Sequence, residues 1–266
     1  MKFIASLRSE LQKIKGTSLL YLVLIAAFII PFIMIVDHDT LDPSQNVWDH
    51  FYLEGLRVFV FAFLPLFCLL ACTLLMQIEV RNNTWKQVLT SPQSFFHILF
   101  AKFAVLQILS IAFIVIYNVY VMLGAAILDT VYGNYLSYLD HWPEMLKFNL
   151  MAYGSTIGIS ALSFWLALRS KNFIAPIAIG LLLWFVGPAA LENDWFHVGK
   201  YVFAIPFTVL FERFAKDRVL YQFLSIGYGV FFFSVAYLEF VMQRMKVGRY
   251  LRKHVLSSRI EQREES

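Results

Sequence analysis

The chain has 266 residues, of which 59% are hydrophobic and only 15% charged, and it carries a net charge of +4. A soluble domain is typically about 45–50% apolar and about 25% charged, so the composition excludes an ordinary soluble domain and favours a membrane protein. The Lys and Arg residues cluster in short segments beside apolar stretches, which a membrane explains better than a nucleic-acid partner does.

The amino terminus is amphipathic and basic. Phe3, Ile4, Leu7, Leu11 and Ile14 recur at helical spacing, and Lys and Arg residues occupy the other faces. An apolar stripe with cationic flanks is typical of a helix that lies in the membrane interface. Residues 1–18 are therefore predicted to form an interfacial amphipathic helix.

Six apolar stretches follow, each long enough to be read as a membrane span. The predicted spans are about 19–36, 58–76, 98–128, 148–168, 173–191 and 220–242. A helix satisfies its own backbone hydrogen bonds, as lipid demands. The sequence thus predicts an all-α membrane protein with six transmembrane helices, a transmembrane domain over 1–243 and a basic cytoplasmic tail over 244–266.

The distribution of Lys and Arg predicts the orientation. These residues concentrate in the amino-terminal helix, the loop after span two, the turn after span four and the tail. By the positive-inside rule, both termini are cytoplasmic. The fifth loop departs from this contrast, with Lys200, Arg213, Lys216 and Arg218 on the outer side.

The fifth loop also contains an apolar segment, Tyr201–Phe211 (YVFAIPFTVLF), with Pro206 near its middle. This segment is too short to cross a bilayer. It fits a re-entrant or interfacial segment, or alternatively a buried extracellular cap.

The most specific stretch is the cytoplasmic loop Glu79–Pro92 (EVRNNTWKQVLTSP). Asn82, Asn83 or Thr84 can begin a short helix that Ser91-Pro92 ends. Trp85, Val88 and Leu89 give that helix an apolar face, with Lys86 beside it. Such a coupling helix suits a loop that receives force from a soluble partner; a plain interfacial helix anchored by Trp85 is the alternative.

The basic start, the spans and the loop pattern E-x-x-N-N-T-x-K-x-x-x-x-x-P together resemble ABC-2 type transporter permeases, most closely the branch linked to lantibiotic and bacteriocin immunity. The residues that carry the resemblance are Glu79, Asn82, Asn83, Thr84, Lys86 and Pro92, followed by Lys102.

The resemblance implies a bacterial inner-membrane location and a dimer of identical or related permease subunits. It also implies a separate cytoplasmic ABC ATPase that engages the loop, and a re-entrant segment between spans five and six. Tyr201, Pro206 and Phe211 are then candidates for an outer gate. Spans one, two and five would line the route. The basic tail lies outside the family pattern and is a candidate contact for anionic lipid.

The sequence contains no phosphate-binding G-x-x-x-x-G-K-[ST] pattern. We therefore expect this chain to bind no cofactor itself, with ATP and Mg²⁺ held by the partner ATPase. It also contains no H-E-x-x-H motif, and its histidines lie in separate loops or tails. We expect neither a metal site nor an enzyme.

Several polar or small residues lie within the predicted spans. Gly154-x-x-x-Gly158 is a candidate helix-packing face, either within one subunit or between two subunits. Glu239, near the end of span six, fits an ion pair with Arg244 or, alternatively, proton coupling. Gln107 and Asn118 are neutral and suited to hydrogen bonds across helices, and Cys68 and Cys72 fit small buried hydrophobes.

The favoured function is the permease subunit of an ATP-driven exporter of peptide antibiotics or other amphipathic or lipid-linked cargo. One rival is a non-transporting membrane anchor or assembly subunit. The other is a membrane-embedded enzyme, which would need a polar cluster around Glu239 or Asn118.

Overall fold

The computed structural model describes residues 2–37, 47–81, 94–170, 172–192 and 198–264, and these residues form helices and turns without a strand. The all-α membrane class is confirmed. Within the described ranges, five helical stretches are long and apolar enough to cross a membrane: Ser18–Val36, Trp48–Glu79, Phe96–Tyr132, Tyr135–Arg169 and Glu212–Met242. The fifth predicted span is a shorter apolar helix, Ile174–Ala190, so the count of six stays a prediction.

Most helices extend beyond the stretches that hydropathy picked out. The amino-terminal helix is Lys2–Ile14, span one is Ser18–Val36, span two ends with Leu64–Arg81, span three is Phe95–Tyr132, span four is Trp142–Arg169, the fifth helix is Ile174–Glu192, and span six is Arg218–Glu264. Between the fifth helix and span six, the described residues 198–217 include three short helices, Val198–Lys200, Ile205–Leu210 and Glu212–Asp217. Span six is one helix of 47 residues, so the predicted tail continues it as far as Glu264.

Span two contains two π-helical segments, Trp48–Leu53 and Phe59–Phe63, separated by the α-helical turn Glu54–Val58. Pro65 follows the second segment and has no N–H to donate to the carbonyl of Phe61, four residues earlier. That carbonyl instead accepts a hydrogen bond from the Trp184 indole at 3.0 Å. Pro65 thus leaves the carbonyl of Phe61 available for the hydrogen bond that links the fifth helix to span two.

Spans two, three and four form the centre of the bundle. In their most apolar stretches 61%, 56% and 61% of residues are buried, against 28% in span one and 17% in span six. Spans one and six therefore lie at the periphery, where most of their side chains are left for lipid or another subunit. Cys68 and Cys72 are buried, free thiols in this core, as expected of small hydrophobes.

Candidate functional site

Of the loop predicted to receive a partner, the structure describes only the start. Glu79 lies in the last turns of span two. The other predicted loop residues lie outside the described residues: Asn82, Asn83, Thr84, Trp85, Lys86, Val88, Leu89 and Pro92. The described part of the site lies on the two helices that carry the loop.

These two helices are joined near their loop-bearing ends by a buried ion pair. The Nζ of Lys102, in span three, lies 2.6 Å from Oε1 of Glu79. Each side chain is only 1% exposed. Charged side chains are almost never fully buried unless they are paired, so this contact fixes the ends of spans two and three to each other.

The amino-terminal helix completes the cluster. The Nζ of Lys102 also lies 2.7 Å from Oε2 of Glu10, and the Nζ of Lys13 lies 2.5 Å from Glu10 and 3.0 Å from Glu79. We call Glu10, Lys13, Glu79 and Lys102 the ion-pair cluster. Two ammonium groups and two carboxylates alternate in it, so that each charge has two opposite neighbours.

The amino-terminal helix packs differently from the amphipathic prediction. Phe3, Leu7 and Ile14 face the bundle, whereas Ile4 and Leu11 are exposed. Residues three and four apart share a helix face, so Glu10 and Lys13 turn towards the bundle beside Ile14. The helix then ends at a turn in which Gly16 has φ +78°, a backbone conformation that other residues rarely adopt, and the chain enters span one.

The charges of the cluster stabilise one another. Burial acts to raise the pKa of Glu10, but the charge of Lys102 and the hydrogen bonds from Lys102 and Lys13 hold that pKa below its ordinary value of 4.5. Burial acts to lower the pKa of Lys13, but Glu10 and then Glu79 raise that pKa above 10.5. Both groups are therefore charged at neutral pH.

A polar cleft of about 540 Å³ opens beside the cluster. It is lined by Lys13, Gly16, Thr17, Ser18, Leu74, Gln77 and Ile78. Lys13, whose side chain is 36% exposed, is therefore the member of the cluster that water reaches. The other three side chains are at most 9% exposed, and they form the desolvated part of the joint.

At the opposite end of the bundle, the segment between the fifth helix and span six turns inward. Val202 and Phe203 belong to one buried cluster with Cys68, Ile159 and Leu162, which lie well inside spans two and four. The Tyr201 hydroxyl donates a hydrogen bond to the carbonyl of Leu183 at 2.5 Å. Part of this segment is thus packed among the helices.

The three candidate gate residues have different surroundings. Tyr201 is bound to the fifth helix, and Pro206 occupies the first turn of the short helix Ile205–Leu210, where its missing N–H breaks no helical hydrogen bond. Phe211, just beyond that helix, is 41% exposed. Phe207, between them, packs against Phe61 with ring centroids 3.7 Å apart.

The sequence pattern that defines ABC-2 family transporter proteins matches residues 6–187. This match runs from the amino-terminal helix to the fifth helix and includes the whole ion-pair cluster. The chain belongs to the ABC-2 family of transporter proteins. No curated protein and no solved structure gave a significant match.

Membership in this family makes the chain a membrane component of a transporter. Among the residues that the structure describes, no group of three or more His, Cys, Asp or Glu side chains is placed to hold a metal ion.

Gly154 and Gly158 of this ABC-2 chain face span six of the same chain. A Cβ on Gly158 would lie 3.0 Å from the carbonyl oxygen of Ser225, and a Cβ on Gly154 would clash with the side chain of Gln222. The N–H of Gly158 donates to Oγ of Ser225 at 3.1 Å, and that hydroxyl donates to the carbonyl of Ser155 at 2.9 Å. Small residues thus let spans four and six approach closely.

A neutral polar network joins spans two, three and four near the end opposite the ion-pair cluster. Asn118 and Asn149 exchange amide hydrogen bonds of 2.9 and 3.2 Å. The Tyr52 hydroxyl accepts from Asn149 at 2.9 Å and donates to Asn118 at 3.1 Å. We call these three residues the amide–tyrosine network. Sequence reasoning found Asn118 but missed Tyr52 and Asn149, which carry no motif.

Two further polar groups expected within the spans find partners across helices. Gln107 donates to the Ser160 hydroxyl at 2.9 Å. Glu239 accepts from the Trp165 indole at 2.8 Å and lies 3.7 Å from the guanidinium of Arg169. These partners of Glu239 belong to span four, whereas the side chain of Arg244, the expected partner, lies outside the described residues.

Proposed function

We propose that this chain is the permease subunit of an ATP-driven exporter whose ATPase is a separate polypeptide. The match to ABC-2 family transporter proteins over residues 6–187 carries the proposal. The printed sequence has no phosphate-binding glycine motif, so the proposal places ATP and Mg²⁺ on the partner. A second permease subunit, identical or related, completes the membrane part.

The ion-pair cluster gives this proposal a mechanical step. A partner that pushes on the loop Glu79–Pro92 acts on two helix ends that are bound to each other through Glu79 and Lys102. Glu10 and Lys13 extend the joint to the amino-terminal helix. Because a buried ion pair is strongly destabilised when one partner leaves, the helix ends and the amino-terminal helix move together, and span one follows through the turn at Gly16.

The opposite end supplies the gate in this mechanism. The segment Tyr201–Phe211 re-enters the bundle and contacts span two at Phe61, in the π-helical segment Phe59–Phe63. The carbonyl of Phe61, which lacks a helical donor because of Pro65, accepts a hydrogen bond from Trp184 of the fifth helix. Movement of span two therefore reaches both the fifth helix and the gate segment. π-Helical segments recur at functional sites, which supports a hinge at this position.

The cargo in this proposal is an amphipathic peptide, such as a peptide antibiotic, or a lipid-linked molecule. Aromatic surfaces accept apolar cargo without fixed hydrogen bonds, and the chain has 27 Phe and 13 Tyr residues. The proposal puts both termini and the loop Glu79–Pro92 in the cytoplasm of a bacterial cell, and the concentration of Lys and Arg in these segments supports it.

Affinity purification of the tagged chain from its native membranes in mild detergent tests the proposal. We expect a soluble ATPase to co-purify stoichiometrically and to be lost in Trp85→Ala and in Lys86→Glu. Lys147→Glu is the matched control, since it makes the same charge change at an exposed position of span four far from the loop. Repeated absence of an ATPase from intact, folded protein would favour a non-transporting membrane subunit instead.

A further inference from the structure

Two arginines at the gate end of the bundle converge on one residue. The Cζ of Arg57, in span two, lies 5.9 Å from the centroid of the Phe211 ring. The Nη2 of Arg218, at the start of span six, donates to the carbonyl oxygen of Phe211 at 3.4 Å. We call Arg57 and Arg218 the arginine pair. They approach Phe211 from two different helices.

Both guanidinium groups retain unused hydrogen-bonding capacity. The Nε atoms of Arg57 and Arg218 are buried and have no hydrogen-bond partner among the residues that the structure describes. Across those same residues, neither side chain forms an ion pair with a carboxylate. Glu54, on the same turn as Arg57, pairs with His50 instead, at 3.6 Å. A buried Nε–H without a partner is unusual, because buried polar groups are normally hydrogen-bonded.

The surroundings of the pair are aromatic. The Cζ of Arg218 also lies 5.8 Å from the ring of Phe148, in span four. Phe211 stacks on Phe207 with centroids 6.0 Å apart and is itself 41% exposed. Aromatic faces stabilise guanidinium groups but leave their in-plane N–H donors unused. Those donors form a planar fork that matches the oxygens of a phosphate or a carboxylate.

We infer that Arg57 and Arg218 form a binding site for a phosphate group, carried by a phospholipid headgroup or by a free phosphate ion. Two guanidinium groups on separate helices suit a tetrahedral anion with several oxygens better than a planar carboxylate. The exposed Phe211 ring beside them offers an apolar surface to a lipid chain. The site also explains why positively charged side chains lie at an end of the bundle where the positive-inside rule predicts few of them.

This inference does not rest on the transport proposal, and binding tests it directly. We would measure the thermal unfolding midpoint of the detergent-purified chain during titration with dihexanoyl phosphatidylglycerol, dihexanoyl phosphatidylcholine or inorganic phosphate. We expect phosphatidylglycerol to raise the midpoint. In Arg57→Gln/Arg218→Gln the half-saturating concentration should increase about tenfold or more, because the variant loses the charged hydrogen bonds of both guanidinium groups.

Lys200→Gln/Lys216→Gln is the matched control. It removes two exposed positive charges from the same inter-helix segment and should leave the titration unchanged. If the double arginine variant does not fold, Arg57→Lys serves instead, since it keeps the charge, removes the planar fork and should still weaken the response.

A response to the lipids alone would identify a headgroup as the ligand, and an equal response to inorganic phosphate would identify the free ion. No response of the unmodified chain to any of the three compounds would overturn the inference. So would an equal loss in the control variant, or an unchanged titration in the folded double arginine variant.

Discussion

The two ends of the bundle join three elements each, but by opposite means. At the end where spans two and three carry the predicted loop, the ion-pair cluster binds the amino-terminal helix to these two spans through four full charges. Near the other end, the amide–tyrosine network binds spans two, three and four through neutral amides and one hydroxyl. The same fold therefore uses a charged joint at one end and a neutral one at the other.

The charged joint has access to water at one of its four members. Glu10 and Lys13 lie on a helix that precedes the first span, and the polar cleft brings water to Lys13. Lys13 therefore keeps part of its hydration, while the other three charges depend on their ion pairs to offset desolvation. Tyr52, Asn118 and Asn149 lie among apolar spans, where an unpaired charge would be far more expensive than an unpaired amide. The charged joint resists separation strongly, whereas the neutral joint can exchange partners.

Removal of one charge from the ion-pair cluster should have the largest effect. Lys102→Met leaves Glu10 and Glu79 buried against each other with only Lys13 to offset them. We expect the free energy of unfolding in detergent to fall by about 3–5 kcal/mol. Lys147→Met, at an exposed position, is the control. The second variant Glu79→Gln/Lys102→Met should recover part of the lost stability. A loss in Lys102→Met no greater than that in Lys147→Met would contradict the charged joint.

The second-largest effect should come from overpacking the contact between spans four and six, which involves no charge. Its size gives a reference for the effects at both joints. Gly158→Ala places a Cβ 3.0 Å from the backbone carbonyl of Ser225, which cannot move aside cheaply. We expect overpacking to lower stability by about 1–3 kcal/mol. Gly154→Ala is the matched variant. Its Cβ meets the flexible side chain of Gln222 and should be tolerated better. Equal effects in thermal unfolding would contradict the close contact at Gly158.

Removal of one side chain from the amide–tyrosine network should lower stability less than removal of one charge from the ion-pair cluster. Asn149→Leu breaks the hydrogen bonds to Tyr52 and Asn118, but those two side chains still bind each other at 3.1 Å. Hydrogen bonds between membrane helices contribute about 0.6 kcal/mol on average and about 1.7 at most. A double-mutant cycle with Tyr52→Phe would measure the coupling. A coupling as large as the loss in Lys102→Met would erase the contrast between the ends.

The smallest effect should be the change with pH in the stability that the ion-pair cluster contributes. Because the pKa of Glu10 is held below 4.5, its carboxylate stabilises the fold above that value and loses its contribution as pH falls through the lowered pKa. The pKa of Lys13 is raised above 10.5, so its contribution is complete below that value and is lost as pH rises through the raised pKa. The stability difference between the unmodified chain and Glu10→Gln should therefore be constant from pH 6 to 9 and narrow below pH 4.5. A marked change between pH 6 and 9 would contradict this assignment.

The spans were predictable from the sequence because long apolar runs need no tertiary contact to be recognised. Glu79 and Lys102 were found through the loop pattern, but their pairing was not, because residues 23 positions apart in sequence meet only through the packing of two helices. Glu10 was missed because it reads as part of a solvated face on a basic helix. Its i,i+3 spacing from Lys13, on the face that holds Ile14, was the available signal.

The π-helical segments could be anticipated only in part. Pro65 marks the carbonyl of Phe61 as lacking its helical donor, but the indole of Trp184 that binds it lies 123 residues away. The amide–tyrosine network carried no local signal beyond the single polar residue Asn118. Side-chain pairing within the membrane is thus decided by helix packing, which hydropathy does not describe.

The most direct test of the charged joint is the rate of ATP turnover in the complex of this chain with the ATPase that we propose as its partner. We would compare the unmodified chain with Glu79→Gln/Lys102→Gln, which neutralises the pair, and with Tyr52→Phe in the neutral joint. We predict that the first variant keeps its bound ATPase but turns over ATP at about one fifth of the unmodified rate or below. Tyr52→Phe should stay near the unmodified rate. Unmodified turnover in a folded Glu79→Gln/Lys102→Gln complex would contradict the role of the ion-pair cluster in transmitting force.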